Sequence, residues 1–86
     1  MSAEVTARSR PRYRLNLDGP VYVWQQVADH IEQRICAAEF AIRLPNREVL
    51  AREYGVSVGS VRRAVKHLAD RGSLRTTKGR GTYVVP

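Results

Sequence analysis

The sequence predicts a mainly α-helical domain with a small β-hairpin at its end, and two observations carry this prediction. Apolar residues recur at steps of three and four in three segments between residues 21 and 71, which is the period of amphipathic helices. Beyond residue 73, two short β-type runs flank a glycine-rich turn, as in a hairpin. The 86 residues, 43% of them hydrophobic, suffice for the core of one small domain.

The chain is expected to begin with a flexible basic arm, residues 1–19, followed by one domain, residues 20–86. The first 14 residues alternate arginine with small or turn residues and show no apolar period. No apolar run approaches the roughly 20 residues of a membrane span, and the N-terminus lacks the apolar segment of a secretory signal. Neither a membrane protein nor a secreted protein is therefore expected.

The first helix is predicted over Val21–Ala38, because Asp18-Gly19-Pro20 has turn chemistry and proline suits the entry of a helix. Arg34 falls among the polar residues of this helix. Cys36 is expected to be a small buried hydrophobe, and as the only cysteine it excludes an internal disulfide and a cysteine-based zinc site. A reducing cytoplasm is then the natural compartment. The inner face is formed by Trp24, Val27, Ala28, Ile31 and Ile35.

A short extended segment, Ile42–Leu44, is a candidate third strand ahead of Pro45, which disfavours helix at the residue before it. Asn46 can cap a second helix that ends near Tyr54. Gly55 then supplies the left-handed backbone that commonly ends a helix. The buried residues of the second helix are expected to be Val49, Leu50 and Tyr54.

A third helix, residues 57–71, is predicted to begin at its cap Ser57 and to be ended by Gly72. Strands follow at residues 74–77 and 82–85, joined by the basic tip Lys78-Gly79-Arg80-Gly81. Two short helices joined by a tight glycine turn form a helix-turn-helix, and the hairpin makes it a winged helix-turn-helix. The inner stripe of the third helix is Val61, Ala64, Val65 and Leu68.

Positive charge is concentrated at one end of the chain and in the arm. Residues 62–86 carry seven Lys or Arg against one Asp, and residues 1–14 carry four Arg against one Glu. Residues 15–61 carry four Arg against six acidic residues. Such a confined excess, within a net charge of +7, is typical of a surface that binds a polyanion. A merely solvated basic face is the alternative.

At Leu44-Pro45-Asn46-Arg47, Tyr54-Gly55-Val56-Ser57 and Val61-Arg62-Arg63-Ala64, the sequence resembles the GntR family of bacterial winged-helix transcription regulators. The resemblance continues into Arg71-Gly72-Ser73-Leu74, Gly79-Arg80-Gly81-Thr82-Tyr83-Val84 and Pro20-Val21-Tyr22, so that it spans about residues 20–85. It implies a cytoplasmic bacterial regulator, most often a repressor, that is associated with the nucleoid by binding double-stranded DNA. The third helix would enter the major groove, and the wing tip would reach the adjacent minor groove.

The resemblance also bears on partners. Family members usually bind a palindromic operator as dimers, and they normally continue into a second domain that binds a ligand or dimerises. No effector ligand is therefore expected to bind within these residues. Free in solution the chain is expected to be a monomer, with two copies pairing at most on DNA to form a homodimer.

The sequence departs from the family pattern at three places in the helix-turn-helix and the segment before it. The stretch from Ala38 to Leu44 is shorter than usual and lacks a Pro-Gly turn before the short strand. Val58-Gly59 stands where many members have Arg-Thr, which is within the family range. A DNA-contacting arginine of many members aligns with Glu48, and Arg47 lies one place earlier. Since a carboxylate repels phosphate, either Arg47 takes over the contact or Glu48 points elsewhere.

The candidate DNA-binding residues lie on the second helix, the third helix and the wing. Arg62 matches a contacting position of the family, where a bidentate bond to guanine would contribute about 1–3 kcal/mol, with a phosphate contact as the alternative. For Arg63 and Lys66, phosphate contact or simple solvation is favoured. Ser57 and Ser60 can cap the helix and present its free amides to a phosphate. The full set is Arg47, Ser57, Val58, Gly59, Ser60, Arg62, Arg63, Lys66, Lys78, Gly79 and Arg80.

Glycines at two of these positions have specific interpretations. Gly79 lets the wing tip enter a narrow groove whose negative potential favours an inserted cation, with Arg80 as first choice, although an ordinary hairpin turn is the alternative. Gly59 costs about 0.5–1 kcal/mol of helix propensity relative to alanine, yet lets the first turn approach DNA closely. A glycine that is merely tolerated there is the alternative. The arm arginines, Arg8 to Arg14, either follow a minor groove or make no contact.

No catalytic, metal or cofactor site is predicted. His30 and His67 lie on different helices without an accompanying cluster of Cys or carboxylate residues. Nothing resembles a nucleophile with its base or a phosphate-binding loop, so an enzyme is not expected. Trp24 and Tyr22 are interpreted as core or domain-contact residues. The alternative function is a winged-helix module whose basic face binds an acidic protein partner.

Overall fold

The computed structural model describes residues 13–85, which form three helices followed by a two-stranded antiparallel sheet. The helices are α1 (Val23–Cys36), α2 (Arg47–Tyr54) and α3 (Val58–Asp70), and the strands are β1 (Leu74–Thr77) and β2 (Gly81–Val84). The predicted winged helix-turn-helix is confirmed. The second strand begins one residue earlier than predicted, because Gly81 pairs with Thr77.

The predicted caps explain where the short helices begin and end. Asn46 Oδ1 accepts a hydrogen bond from the amide of Val49 at 3.0 Å, and Ser57 Oγ accepts one from the amide of Ser60 at 3.1 Å. Each satisfies an amide that lacks a partner within its helix. Gly55 ends α2 with a φ of 67°, which glycine adopts without steric cost. The turn between α2 and α3 is therefore determined by local sequence.

The core lies where α3 packs against α1, α2 and the base of the hairpin. Leu50 and Tyr54 of α2 are buried as predicted, whereas Val49 is only half-buried. The inner stripe of α3 is confirmed in full. Leu44 and Leu74 close the core from the connecting segment and from β1. The buried hydrophobic residues are Val27, Ala28, Ile31, Leu44, Leu50, Ala51, Tyr54, Val61, Ala64, Val65, Leu68 and Leu74.

Arg34 is buried, which corrects its predicted place on the polar face of α1. Only 5% of the residue is exposed. Its guanidinium donates hydrogen bonds to Glu39 at 2.7 Å, to Glu53 at 3.0 Å and to the Tyr54 hydroxyl at 3.2 Å. Burial by itself would lower the pKa of Arg34, but the hydrogen bonds to these three groups raise that pKa above its ordinary value. The charged guanidinium can be buried here because these three groups accept hydrogen bonds from it.

Another prediction about burial was wrong. Cys36 is exposed rather than buried, because it is the last residue of α1 and lies on the outer side of the helix beside Gln33 and Ala37. Tyr22, interpreted as a core or domain-contact residue, is 71% exposed and precedes the helix, which excludes only the core. Trp24 and Ile35 are half-buried at the margin of the inner face.

Ala38 ends α1 in the left-handed conformation that glycine usually adopts at this position. Ala38 has a φ of 58°, and the amide of Glu39 donates to the Arg34 carbonyl at 2.9 Å, which closes the helix end. The candidate third strand at Ile42–Leu44 forms a single bridge between Arg43 and Tyr83 rather than a full strand. Two backbone bonds flank that bridge, Leu44 N to Thr82 O at 2.9 Å and Val84 N to Ile42 O at 2.8 Å.

The structure places residues 13–16, which the sequence assigned to the flexible arm, against the helices. The Tyr13 amide donates to the Glu53 carbonyl at 2.9 Å, and the Tyr13 ring packs 4.5 Å from His30 and 5.1 Å from Tyr54 between ring centroids. The Gln26 side chain donates to the Asn16 carbonyl at 2.8 Å. Arg8, Arg10 and Arg12 of the predicted arm lie outside the described residues.

Candidate nucleic-acid interface

The N-terminal turn of α3 presents small side chains and backbone amides to solvent. Ser57 and Gly59 are exposed, and Val58 and Ser60 are half-exposed. The Ser57 hydroxyl caps the helix and also donates to the Ser60 hydroxyl at 3.1 Å. A helix N-terminus of this kind carries a partial positive charge and attracts anions.

Gly59 sits in this turn without any steric requirement from the protein itself. A Cβ atom built there would meet only Ser57 Oγ, at 3.7 Å, which is an ordinary contact. Alanine would therefore fit, and the fold does not explain why glycine stands here. This environment is compatible with both interpretations of Gly59, close approach to DNA and simple tolerance of a glycine in an exposed turn.

A cleft of about 750 Å³ separates the wing from the two helices of the helix-turn-helix. Arg47 of α2, Val58 and Arg62 of α3, and Lys78 and Gly79 of the wing line it. Five of the eleven predicted site residues, drawn from three elements, are therefore brought together on one concave surface. This convergence was not evident from their separation along the chain.

The charge of this cleft is strongly one-sided. Its lining contains four cations, Arg43, Arg47, Arg62 and Lys78, against one carboxylate, that of Glu48. The carboxylate lies in the first turn of α2, where the helix dipole stabilises it. Glu48 therefore does line the surface, and Arg47 lines it as well. A cleft with this balance focuses positive potential on whatever enters it.

Arg43 is a cleft residue that the sequence analysis missed. It had been placed in the extended segment before Pro45, where its position suggested a strand residue only. The signal that was available is the alternation at Ile42-Arg43-Leu44: Leu44 is buried, so its neighbour must point to the opposite side. Only the packing of that segment against the wing shows that the opposite side is the cleft.

The other basic residues of α3 lie away from the cleft. The Arg63 guanidinium carbon is 4.8 Å from the centroid of the Trp24 ring, whose other neighbour is His67 at 5.3 Å between ring centroids. Lys66 donates to Asp70 at 3.2 Å one turn further along the exposed face. Arg62 and Arg63, adjacent in sequence, thus occupy different flanks of the helix, one toward the wing and one toward α1.

The wing tip is held by Tyr83. Its hydroxyl donates to the Arg80 carbonyl at 3.1 Å, and the Arg80 amide closes the turn by donating to Thr77 at 3.0 Å. Lys78, Gly79 and Arg80 are all exposed. The side chain of Arg80 does not line the cleft. It belongs to the outer end of the hairpin.

The histidines occupy packing positions. Burial and the nearby Arg34 charge lower the pKa of His30, whose Nδ1 lies 2.7 Å from the Tyr54 hydroxyl. His67 packs on Trp24. In residues 13–85 no group of three His, Cys, Asp or Glu side chains is arranged to hold a metal ion. Within the same residues, every helix is too short or too polar to cross a bilayer.

Residues 24–84 match the family model described as bacterial regulatory proteins, gntR family. Over 72 residues the chain is 31% identical to the HTH-type transcriptional repressor NagR of Bacillus subtilis, covering 81% of this chain and 30% of that protein. It is 36% identical over 64 residues to the mannosyl-D-glycerate transport/metabolism system repressor MngR of Escherichia coli, covering 72% of this chain and 27% of that protein. The chain thus spans less than a third of the length of these curated relatives.

Among solved structures, the chain is similar to AraR(DBD) in complex with operator ORX1. The TM-score is 0.76 at 25% identity, and the match covers 88% of this chain and 99% of that one. The winged arrangement of three helices and a hairpin is therefore shared by nearly the whole of that protein chain.

Proposed function

Because this chain belongs to the gntR family of bacterial regulatory proteins, we propose that it is a sequence-specific double-stranded DNA-binding transcription regulator that acts as a repressor. The observation that carries the proposal is the cleft in which four cations face a single carboxylate between α3 and the wing. Support comes from the relatives NagR and MngR, which are named repressors, and from AraR(DBD), which was solved on an operator.

In the proposed complex, α3 enters the major groove with its N-terminal turn, and the wing tip lies at the adjacent minor groove. Ser57, Val58, Gly59 and Ser60 would approach the groove most closely, and Arg62 would read a base or bind a phosphate. Arg47 would bind the sugar–phosphate backbone. The wing tip would enter the minor groove, where negative potential favours a cation, with Lys78, Gly79 and Arg80.

Arg63 and Lys66 are proposed as phosphate contacts on the outer face of α3. Each already has a partner, the Trp24 ring and the Asp70 carboxylate respectively. Both cations nevertheless remain accessible, because Arg63 is exposed and the Lys66 side chain is 75% exposed. These residues therefore add to affinity for any sequence rather than to the choice of sequence.

The remaining features follow from this function. The domain is proposed to comprise residues 20–86 and to act in the bacterial cytoplasm on chromosomal DNA, not as an enzyme. Two copies would pair on a palindromic operator, and any effector would bind outside these residues. The alternative, a winged-helix module for an acidic protein partner, is less well supported because the cationic lining follows a concave cleft rather than a flat face.

The proposal is tested by measuring binding to duplex DNA at several salt concentrations. With about six phosphates neutralised, log K is expected to fall against log salt with a slope of about −5. Selection of bound duplexes from a random pool should then return a preferred site. Absence of binding to any duplex at low salt would favour the protein-interaction module. Affinity that does not change with salt would contradict the electrostatic account.

Gly59 provides a test of how closely α3 approaches DNA. Gly59→Ala is expected to raise the free energy of unfolding by about 0.5–1 kcal/mol, because alanine is the better helix former and its Cβ fits. Gly59→Gln is expected to weaken DNA binding while the thermal stability is equal or higher. Fluorescence anisotropy with labelled duplex and thermal unfolding measure the two effects. Unchanged binding of Gly59→Gln would show that the glycine is merely tolerated.

A further inference from the structure

We propose that Arg43 is a DNA-backbone-binding residue, held in place by lying across Gly81 of the wing. The inference rests on the proposed function and adds to it a residue outside the helix-turn-helix and outside the wing tip. It is carried by the position of Arg43 in the cleft, by the space that Gly81 leaves for it, and by the charge around it.

The cleft between α3 and the wing lies where a strand of bound DNA would pass. Adjacent major and minor grooves of a duplex are separated by one sugar–phosphate strand. If α3 occupies the first groove and the wing tip the second, that strand has to pass between them. The space between α3 and the wing is the cleft of about 750 Å³ described above. Side chains that line the cleft therefore face a chain of phosphates.

The Arg43 side chain lies beside β2 and over Gly81. The backbone of Arg43 is bridged to Tyr83, so its side chain starts from a fixed point beside β2. Gly81 has a φ of 105°, and a Cβ atom placed there would come within 2.9 Å of both Nε and Nη2 of Arg43. The guanidinium thus lies directly over the bare backbone of Gly81. Glycine at this position serves the turn and also makes room for the arginine.

The positive charge of Arg43 lies near an aromatic ring rather than a carboxylate. Within residues 13–85, no ion pair joins Arg43 to a carboxylate. Its guanidinium carbon is instead 5.9 Å from the centroid of the Tyr83 ring. An aromatic ring orients a guanidinium without neutralising it. Arg43 is exposed, so its donors remain available to a phosphate.

The test measures the salt dependence of binding to a short random-sequence duplex for wild type, Arg43→Gln and Arg43→Lys. A lost phosphate contact lowers the magnitude of the slope by about 0.9, so the Gln variant is expected to show a slope that is smaller by about one. The Lys variant keeps its charge and is expected to retain the wild-type slope. Arg52→Gln, an exposed arginine of α2 outside the cleft, is the matched control and should leave the slope unchanged.

The position of the Arg43 guanidinium over Gly81 is tested with the substitution Gly81→Ala, made both in the wild-type protein and in the Arg43→Gln variant. The added methyl group displaces the guanidinium, so binding should weaken in the wild-type background and change much less once Arg43 is absent. Gly72→Ala controls for backbone strain, since Gly72 also has a positive φ but has open space around it. Its effect on DNA binding should be the same in both backgrounds.

The outcomes separate this inference from the proposed function. Wild-type protein that binds no duplex contradicts the proposed function itself. Wild-type protein that binds with the expected salt slope, together with an Arg43→Gln variant of equal slope, overturns the role of Arg43 alone. A loss shared by the Gln and Lys variants with the slope unchanged would show that Arg43 only supports the wing, and this result also overturns the inference.

Discussion

Replacing Arg34 with alanine is expected to lower the free energy of unfolding by about 3–5 kcal/mol, which is the usual cost of removing one partner from a buried ion pair. The guanidinium joins α1 to the following loop through Glu39 and to α2 through Glu53 and Tyr54. It also lies 4.5 Å from the centroid of the Phe40 ring. Its removal leaves Glu53, which is largely buried, and the Tyr54 hydroxyl without this donor. Urea denaturation followed by circular dichroism measures the effect.

The control for this prediction is Arg71→Ala. Arg71 forms an exposed ion pair with Glu32 at 3.6 Å, in which the arginine side chain is 53% exposed. Exposed pairs of this kind contribute about 0–1 kcal/mol. Arg34→Lys should fall between the two variants, because an ammonium cannot donate to three partners with the planar geometry of arginine. Equal losses for Arg34→Ala and Arg71→Ala would show that burial of the Arg34 network contributes nothing.

Replacing Arg62 with alanine is expected to reduce affinity for the selected DNA site by about 5- to 150-fold, which corresponds to the roughly 1–3 kcal/mol of one base-reading arginine. The side chain is exposed and lines the cleft, so the fold should be unaffected. Affinity for random duplex should fall much less than affinity for the selected site. Competition between the two duplexes, measured by anisotropy, gives the ratio directly.

The comparison variant for Arg62 is Lys66→Ala, which removes a cation from the same helix outside the cleft. Its effect should be the same for selected and random duplex, because a phosphate contact carries no sequence information. If Arg62→Ala behaves in the same way as Lys66→Ala, Arg62 binds the backbone. Base reading would then have to come from the Ser57–Ser60 turn.

The local elements of this domain were predictable from short stretches of sequence. Asn46 and Ser57 begin their helices by capping amides that lie three residues ahead, and Gly55 ends α2 because glycine adopts the required positive φ without steric cost. These interactions span a few residues and need no tertiary context. For the same reason the inner stripe of α3 was predicted correctly.

Burial of individual side chains was less predictable. Arg34 was assigned to the surface because it falls among the polar residues between the apolar positions of α1, and its three partners come from a loop and a second helix that local sequence does not bring together. Cys36 was assigned to the core because cysteine usually is buried, but the position of the helix end places it outside. Residue type predicts an average, whereas the partners of each residue are determined by the packing of distant elements.

The sequence by itself determined the order of the elements and the sign of the charge, because both depend on periodicity, caps and composition. The limits of the elements were predicted only to within two residues, since α1 was expected over Val21–Ala38 and spans Val23–Cys36. Tertiary structure decided which of the basic residues lie together in the cleft. In the folded domain Arg63 packs on Trp24, whereas Arg62 lies beside the wing. Arg43, from a segment for which no functional role was predicted, lines the same cleft as Arg62. The physical reason is that the cleft exists only between elements: its lining comes from α2, α3, both strands and the bridged segment, and their approach is set by the packing of the shared core.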